Sequence, residues 1–207
     1  MTARDTNGED NGTMRIDEAG LDLLFRKART QNGWLPRPVP EALLREIHDL
    51  MKMGPTSANC APLRIVFVSS DAAKRRLAPA LSAGNLEKTM QAPVVAILGY
   101  DLAFYEHLPR LFPHNQTARG WFEGKPHAEA TAFRNSSLQA AYLMLASRAV
   151  GLDCGPMSGF DAARLDAEFF PGGRVKTNMI CALGYGDPSK VLARNPRFDF
   201  DDVCRID

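Results

Sequence analysis

Only three stretches of this chain read as buried β-strand: Leu63–Val68, Pro93–Tyr100 and Thr177–Leu183. Each is a near-continuous apolar, β-branched run rather than an alternating one, the pattern of strands covered on both faces. Roughly six helical segments surround them, too many for one side of so narrow a sheet. The predicted fold is therefore α+β, a mixed, mainly antiparallel sheet covered by helices on both faces.

The helices follow from apolar spacing. Leu21, Leu24, Phe25 and Ala28 fall at i, i+3, i+4 and i+7, and Gly33 offers a stop. Leu43, Leu44, Ile47, Leu50 and Met51 stripe a second helix that Gly54-Pro55 ends. Asp71 reads as the N-cap of a third, running to about Leu81, and Leu86–Met90 as a short fourth. The longest candidate spans Glu129–Val150, with Leu138, Ala141, Tyr142, Leu145 and Ala149 on one side. Its further alanines leave it apolar on more than one side, as expected of a central helix against another layer or a second subunit. Asp161 caps a last helix over Ala162–Phe170.

Between these lie an aromatic- and proline-rich segment, 101–127, and a polar C-terminal arm, 188–207. The first reads either as a lid or insertion over a substrate site, or as short helices packing their aromatics onto the domain. In the arm, Phe198 and Phe200 alternate as in a strand, with a partner subunit as one place to pair.

Composition bounds the function. With 207 residues, 45% hydrophobic and 24% charged, residues 18–207 form one domain with a sizeable core. A net charge of +1 gives no basic excess for nucleic acid. No apolar run approaches the ~20 residues of a membrane span. Residues 1–17 are polar, lack the apolar core of a signal peptide and read as a disordered tail. The four cysteines have no CxxC spacing, so free thiols in a reducing cytoplasm are expected, without a metal site.

Motifs for a Rossmann dinucleotide site, a P-loop, a zinc protease or a serine nucleophile are missing from the sequence. His48, beside the stripe of the second helix, reads as a partly buried structural residue, and Cys60 has no histidine in a neighbouring motif. What remains suits an anionic, planar ligand. Arg29 and Thr30 at a helix end, with Lys190 and Arg194 in the arm, are donors of the kind that hold phosphate. In the loop Gly54–Pro62, two prolines bracket small polar residues; such a loop can offer several backbone N–H groups and the Asn59 amide to a heteroaromatic edge. In a second loop, Gly151–Asp161, the stretch Pro156-Met157-Ser158-Gly159 can direct backbone N–H groups at an electron-rich ring atom, with Gly159 allowing close approach.

The strings ARTQNGW, GPTSANCAP, GLDCGPMSGFD and GYGDPSKVLAR, in this order, resemble the FMN-dependent nitroreductase family from about Leu21 to the C-terminus. The strings MKMGPTSANCAPLRIVF and EATAFRNSSLQAAYL are similar to the branch that contains the malonic semialdehyde reductase of the Rut pyrimidine-degradation pathway. The resemblance implies a homodimer with FMN in two sites at the subunit interface. Arg29, Thr30, Arg194 and nearby Lys190 match phosphate positions, Ser57 and Asn59 the loop meeting the flavin, and Ser158 and Gly159 the donors facing N5 and O4. Ala28 and Asn32 stand where many members have basic residues, which leaves the phosphate grip fewer charges.

The implied chemistry is hydride transfer from NADPH or NADH to flavin N5, then to malonic semialdehyde in the same cleft, giving 3-hydroxypropionate with ping-pong kinetics. Arg134 or Arg119 is the expected anchor for the substrate carboxylate. A broad nitro/quinone reductase and a flavin-binding protein without turnover are the competing readings.

Overall fold

The computed structural model describes residues 14–207, so the expected tail lies, over residues 1–13, outside the described residues. In chain order the elements are α1 (Glu18–Leu21), running into a π-turn over Asp22–Arg26, and α2 (Glu41–Met51). They continue with β1 (Leu63–Val68), α3 (Asp71–Leu77), α4 (Ala83–Gln91) and β2 (Val94–Asp101). Then come α5 (Leu108–Leu111), α6 (Ala128–Ala149), β3 (Asp153–Met157), α7 (Ala162–Phe169), β4 (Val175–Gly184) and α8 (Phe200–Val203).

The four strands form one antiparallel sheet in the order β1-β2-β4-β3. Among the described residues a parallel contact enters only as an isolated bridge between Thr30 and Cys154. Two cores sandwich the sheet. Val94, Ala96, Leu98, Cys181 and Leu183 face α2 and α6, where Ile47, Met51 and Leu143 are buried. Val95, Ile97, Ile180 and Ala182 face the other way, onto Leu77, Leu165 and Phe170. The α+β reading, with helices on both faces, holds.

Four local readings are corrected. The Gly151–Asp161 loop contains β3, which the low strand propensity of Gly155-Pro156 hides; as an edge strand it tolerates the missing N–H of Pro156. Ser70 rather than Asp71 caps α3, its side chain accepting from the Ala73 N–H at 3.2 Å. Phe198 and Phe200 do not alternate in a strand: Asp199 caps a helical turn that begins at Phe200. His48 is exposed on α2, because the buried stripe is Leu44, Ile47 and Met51.

In α6 the span is as expected, but the face is not. Asn135, Ser136, Gln139, Ala140, Leu143, Ala146 and Ser147 turn inward, whereas Leu138 and Tyr142 are exposed together with Phe133. Small residues let the helix lie close to the sheet, and its buried polar side chains are hydrogen-bonded: Gln139 Oε1 accepts from the Leu63 N–H at 2.9 Å.

Segment 101–127 folds around a third core of Tyr100, Phe104, Leu108, Ala118, Phe122 and Ala132. Its aromatics meet edge to face, Phe104 on Phe122 with centroids 5.1 Å apart. Beneath them the buried Asp101 carboxylate accepts from Arg64 at 2.5 Å and from Arg174 at 2.9 Å.

Candidate functional site

After the π-turn the chain runs out as Arg29-Thr30-Gln31, and the Gln31 N–H bonds to the Cys154 carbonyl of edge strand β3 at 3.0 Å. The start of the arm is tied to the same place: Leu35 N–H bonds to Tyr185 O at 2.8 Å and Asp187 N–H to Gly33 O at 3.0 Å. These bonds fold the arm's basic residues back over the N-terminal segment. Arg194 Nη2 donates to the Arg26 and Ala28 carbonyls at 2.7 and 3.1 Å, a cation on the last carbonyls of a helical turn. Arg29 in turn donates to Leu192 O.

The result is a cavity of about 500 Å³ whose walls include Arg29, Thr30, Asn32, Arg148, Arg194 and Arg197. Four arginines and a threonine line it, and no carboxylate among the described residues does. That donor set fits a phosphate. Lys190 stands apart from the cavity wall, its stem lying directly over Gly33, where a Cβ would sit 2.5 Å from the lysine Cγ. Arg148 on α6 and Arg197 in the arm were missing from the sequence-derived set. They line the same cavity as Ala28 and Asn32.

From the Thr30 bridge at Cys154, β3 runs four residues to Ser158, about 13 Å at a strand's rise. Ser158 is exposed. Gly159 packs on the start of α4: its carbonyl accepts from the Ser82 N–H at 3.1 Å and from Asn85 Nδ2 at 3.0 Å. A Cβ on Gly159 would stand 2.6 Å from both the Ser82 hydroxyl and the Asn85 amide nitrogen, so the glycine admits this helix. One turn on, half-buried Lys88 reaches Asn32 Oδ1 at 3.4 Å, and its carbonyl holds the Trp34 indole N–H at 2.9 Å. Asn85 and Lys88 thus line the strip between the arginine cavity and the Ser158 loop. Their i, i+3 spacing on one helix face was the signal available in the sequence.

The Gly54–Pro62 loop lies elsewhere. It leads into β1, at the sheet edge opposite β3, three strand spacings or roughly 14 Å across. Most of its expected donors are used internally. Ser57 N–H bonds to Asn135 Oδ1 at 2.8 Å, Asn59 N–H to Thr56 O at 2.9 Å, Cys60 N–H to Ser57 O at 3.0 Å and Ala61 N–H to Thr56 Oγ1 at 3.1 Å. The Asn59 amide donates to Leu111 O at 2.8 Å. The Ser57 hydroxyl, on an exposed residue, and the N–H of half-buried Ala58 make no hydrogen bond among the described residues. One chain therefore unites Arg29, Thr30, Arg194, Ser158 and Gly159 along β3, with Ser57 and Asn59 on the far edge.

The two arginines singled out for a carboxylate differ. Arg119 is engaged by Glu123, one turn on in the sequence. Arg134 is exposed on α6 and takes part in none of the ion pairs among the described residues. Cys60 is fully buried and burial pushes its thiol up to about 11, which removes the thiolate a nucleophile needs.

The sequence profile of the nitroreductase family matches residues 26–186. A protein of Cupriavidus pinatubonensis named as a candidate NADH dehydrogenase/NAD(P)H nitroreductase is 58% identical over 189 residues, 90% of this chain and 96% of its own. HadB of Ralstonia pickettii, named in the same way, is 58% identical over the same shares of the two chains. Among solved structures, an Exiguobacterium sibiricum nitroreductase in complex with FMN superposes with a TM-score of 0.82 at 17% identity, over 94% of this chain and all of that one. YdfN of Bacillus subtilis gives 0.80 at 20% identity, over 91% and 99%. No described helix is long and apolar enough to cross a membrane. On the profile match and these relatives, the chain belongs to the nitroreductase family.

Proposed function

We propose that the chain is an FMN-dependent NAD(P)H oxidoreductase acting as a homodimer. The observation that carries this reading is the arginine-walled cavity joined by one strand to the Ser158-Gly159 turn. Bound FMN would supply two-electron chemistry, accepting hydride from a nicotinamide and passing it to an acceptor.

The chain's own residues do the holding. Arg29, Thr30 and Arg194, with Arg148 and Arg197, neutralise the phosphate, while Lys190 orders the arm over Gly33. Ser158 and Gly159 meet the ring, with Lys88 offering a cation along its edge. Ser57 and Asn59 serve the site of a second copy, which their place on the opposite sheet edge favours. Exposed Phe133, Leu138 and Tyr142 on α6, and Leu192, Phe198 and Ile206 in the arm, are the apolar surface a dimer would cover.

As acceptor we propose malonic semialdehyde, reduced to 3-hydroxypropionate as in pyrimidine degradation. Arg134 is the carboxylate anchor because it is exposed and outside every ion pair among the described residues, whereas Arg119 is held by Glu123. A broad nitro/quinone reductase is the second reading, favoured by the names of the relatives at 58% identity. Turnover with malonic semialdehyde, a quinone and a nitroarene, with NADPH or NADH as donor, separates them. Preference for the aldehyde with a KM raised at least tenfold by Arg134→Ala supports the first. Equal turnover of all three, unaffected by that change, supports the second. FMN retained but reduced by neither nicotinamide would mean a flavin-binding protein without turnover.

A further inference from the structure

Three residues outside glycine have positive φ among the described residues, and all lie in one short loop: Ala58 at 50°, Asn59 at 51° and Ala61 at 37°. A side chain at such φ crowds its own carbonyl, and an unsupported loop would relax to extended backbone. The strain persists only where surroundings over-determine it.

The surroundings here are three side-chain clamps. Thr56 Oγ1 accepts from the Ala61 N–H at 3.1 Å, closing the loop on itself. Asn59 Nδ2 donates to Leu111 O, fastening its middle to α5. The third clamp comes from the core. Asn135, 2% exposed on α6, accepts the Ser57 N–H on Oδ1 at 2.8 Å, and its Nδ2 donates to Thr131 O at 2.9 Å. Both ends of that amide are satisfied, so its orientation is fixed and Oδ1 can point only at Ser57. A buried asparagine where a leucine would pack costs stability unless its bonds are made. The loop is what those bonds hold.

We infer that Asn135 is a positioning residue: it holds the left-handed Ala58-Asn59 turn so that the Ser57 hydroxyl and Ala58 N–H are presented to the flavin. This rests on the flavin reading above and goes beyond it by naming a residue that acts through the loop without touching the ligand. The asparagine takes up the Ser57 N–H and fixes the turn, and the turn leaves the next N–H free.

The test uses the full-length chain and FMN as probe, in titrations followed by flavin fluorescence, with amide exchange at Ser57 as a ligand-free readout. Asn135→Leu should weaken FMN binding about tenfold or more, the loss expected for one hydrogen bond and the turn it holds. It should also speed Ser57 exchange. Ala58→Gly, which removes the cost of positive φ, should restore part of the affinity in the Asn135→Leu background. Unchanged affinity in Asn135→Leu, or no recovery from Ala58→Gly, overturns the inference. Should Asn135→Leu fail to fold, Ala58→Val in the native background replaces it. A β-branched residue resists this turn, so undiminished FMN affinity there would equally overturn the inference. Wild-type protein that binds no FMN while Ser57 exchange still depends on Asn135 would instead locate the failure in the flavin reading.

Discussion

Asp101 ends β2 with its carboxylate buried against Arg64 and Arg174 and a further bond from the Ala103 N–H. Burial raises its pKa, and the Arg174 and Ala103 hydrogen bonds with the Arg64 charge outweigh that, leaving it below the usual carboxylate range. A depressed folded pKa contributes stability that is present above the unfolded value, about 4, and lost as pH falls through the folded one. Chemical denaturation between pH 3 and 7 should therefore show an acid slope that Asp101→Asn shallows. At neutral pH the same change should cost about 3 kcal/mol, the scale of breaking a buried pair. At the cavity, each charge-assisted bond to phosphate contributes about 1.5–3 kcal/mol. Arg194→Ala and Arg148→Ala should each weaken FMN binding about ten- to hundredfold by calorimetry, and Arg37→Ala, outside the cavity, should not. The thiols offer a check on burial. Cys60, Cys154 and Cys181 are buried and Cys204 is exposed, so a disulfide reagent should titrate one thiol in the native protein and four in denaturant.

Strand β3 is the element on which the site hangs. Gly155 within it faces the backbone of the arginine segment, where an added Cβ would lie 2.8 Å from Gln31 O. Gly155→Ala should force that segment off the strand, lower stability by about 1–3 kcal/mol and weaken FMN binding, as read by melting and titration. Gly84→Ala, in α4 with nothing within 4 Å of the new methyl, should leave both intact. The same strand marks the limit of what the sequence disclosed. Three apolar strands, the Asp161 cap and the span of α6 were legible because each has a local signal. β3 was not, since Gly155 and Pro156 look like a loop and only the pairing with β4 makes them a strand. Arg29, Thr30 and Arg194 were legible as candidates through their motifs, and the fold brings them to one cavity. Arg148 and Arg197 were not, because nothing local links a residue on α6 or in the arm to the Arg29-Thr30 segment; only the folded cavity does. The face of α6 was misread for a related reason: Phe133, Leu138 and Tyr142 point outward, and apart from Leu143 the buried positions are small or polar.

For the whole molecule, the arginine cavity with Ser158-Gly159 and the loop of Ser57 and Asn59 sit at opposite edges of one sheet. On the proposed reading, a complete flavin site calls for two chains. Light scattering after gel filtration should give twice the mass of a single chain, and a monomer that still binds FMN tightly would contradict the shared site. The central claim is that the cavity and its strand hold a flavin reducible by a nicotinamide. The most direct measurement is the visible absorption spectrum of the purified protein, supplied with FMN, before and after anaerobic addition of NADPH or NADH. The account predicts a protein-retained flavin band that bleaches on reduction and returns with an electron acceptor. A protein that retains no flavin after desalting, or a bound band that neither nicotinamide bleaches, would contradict it.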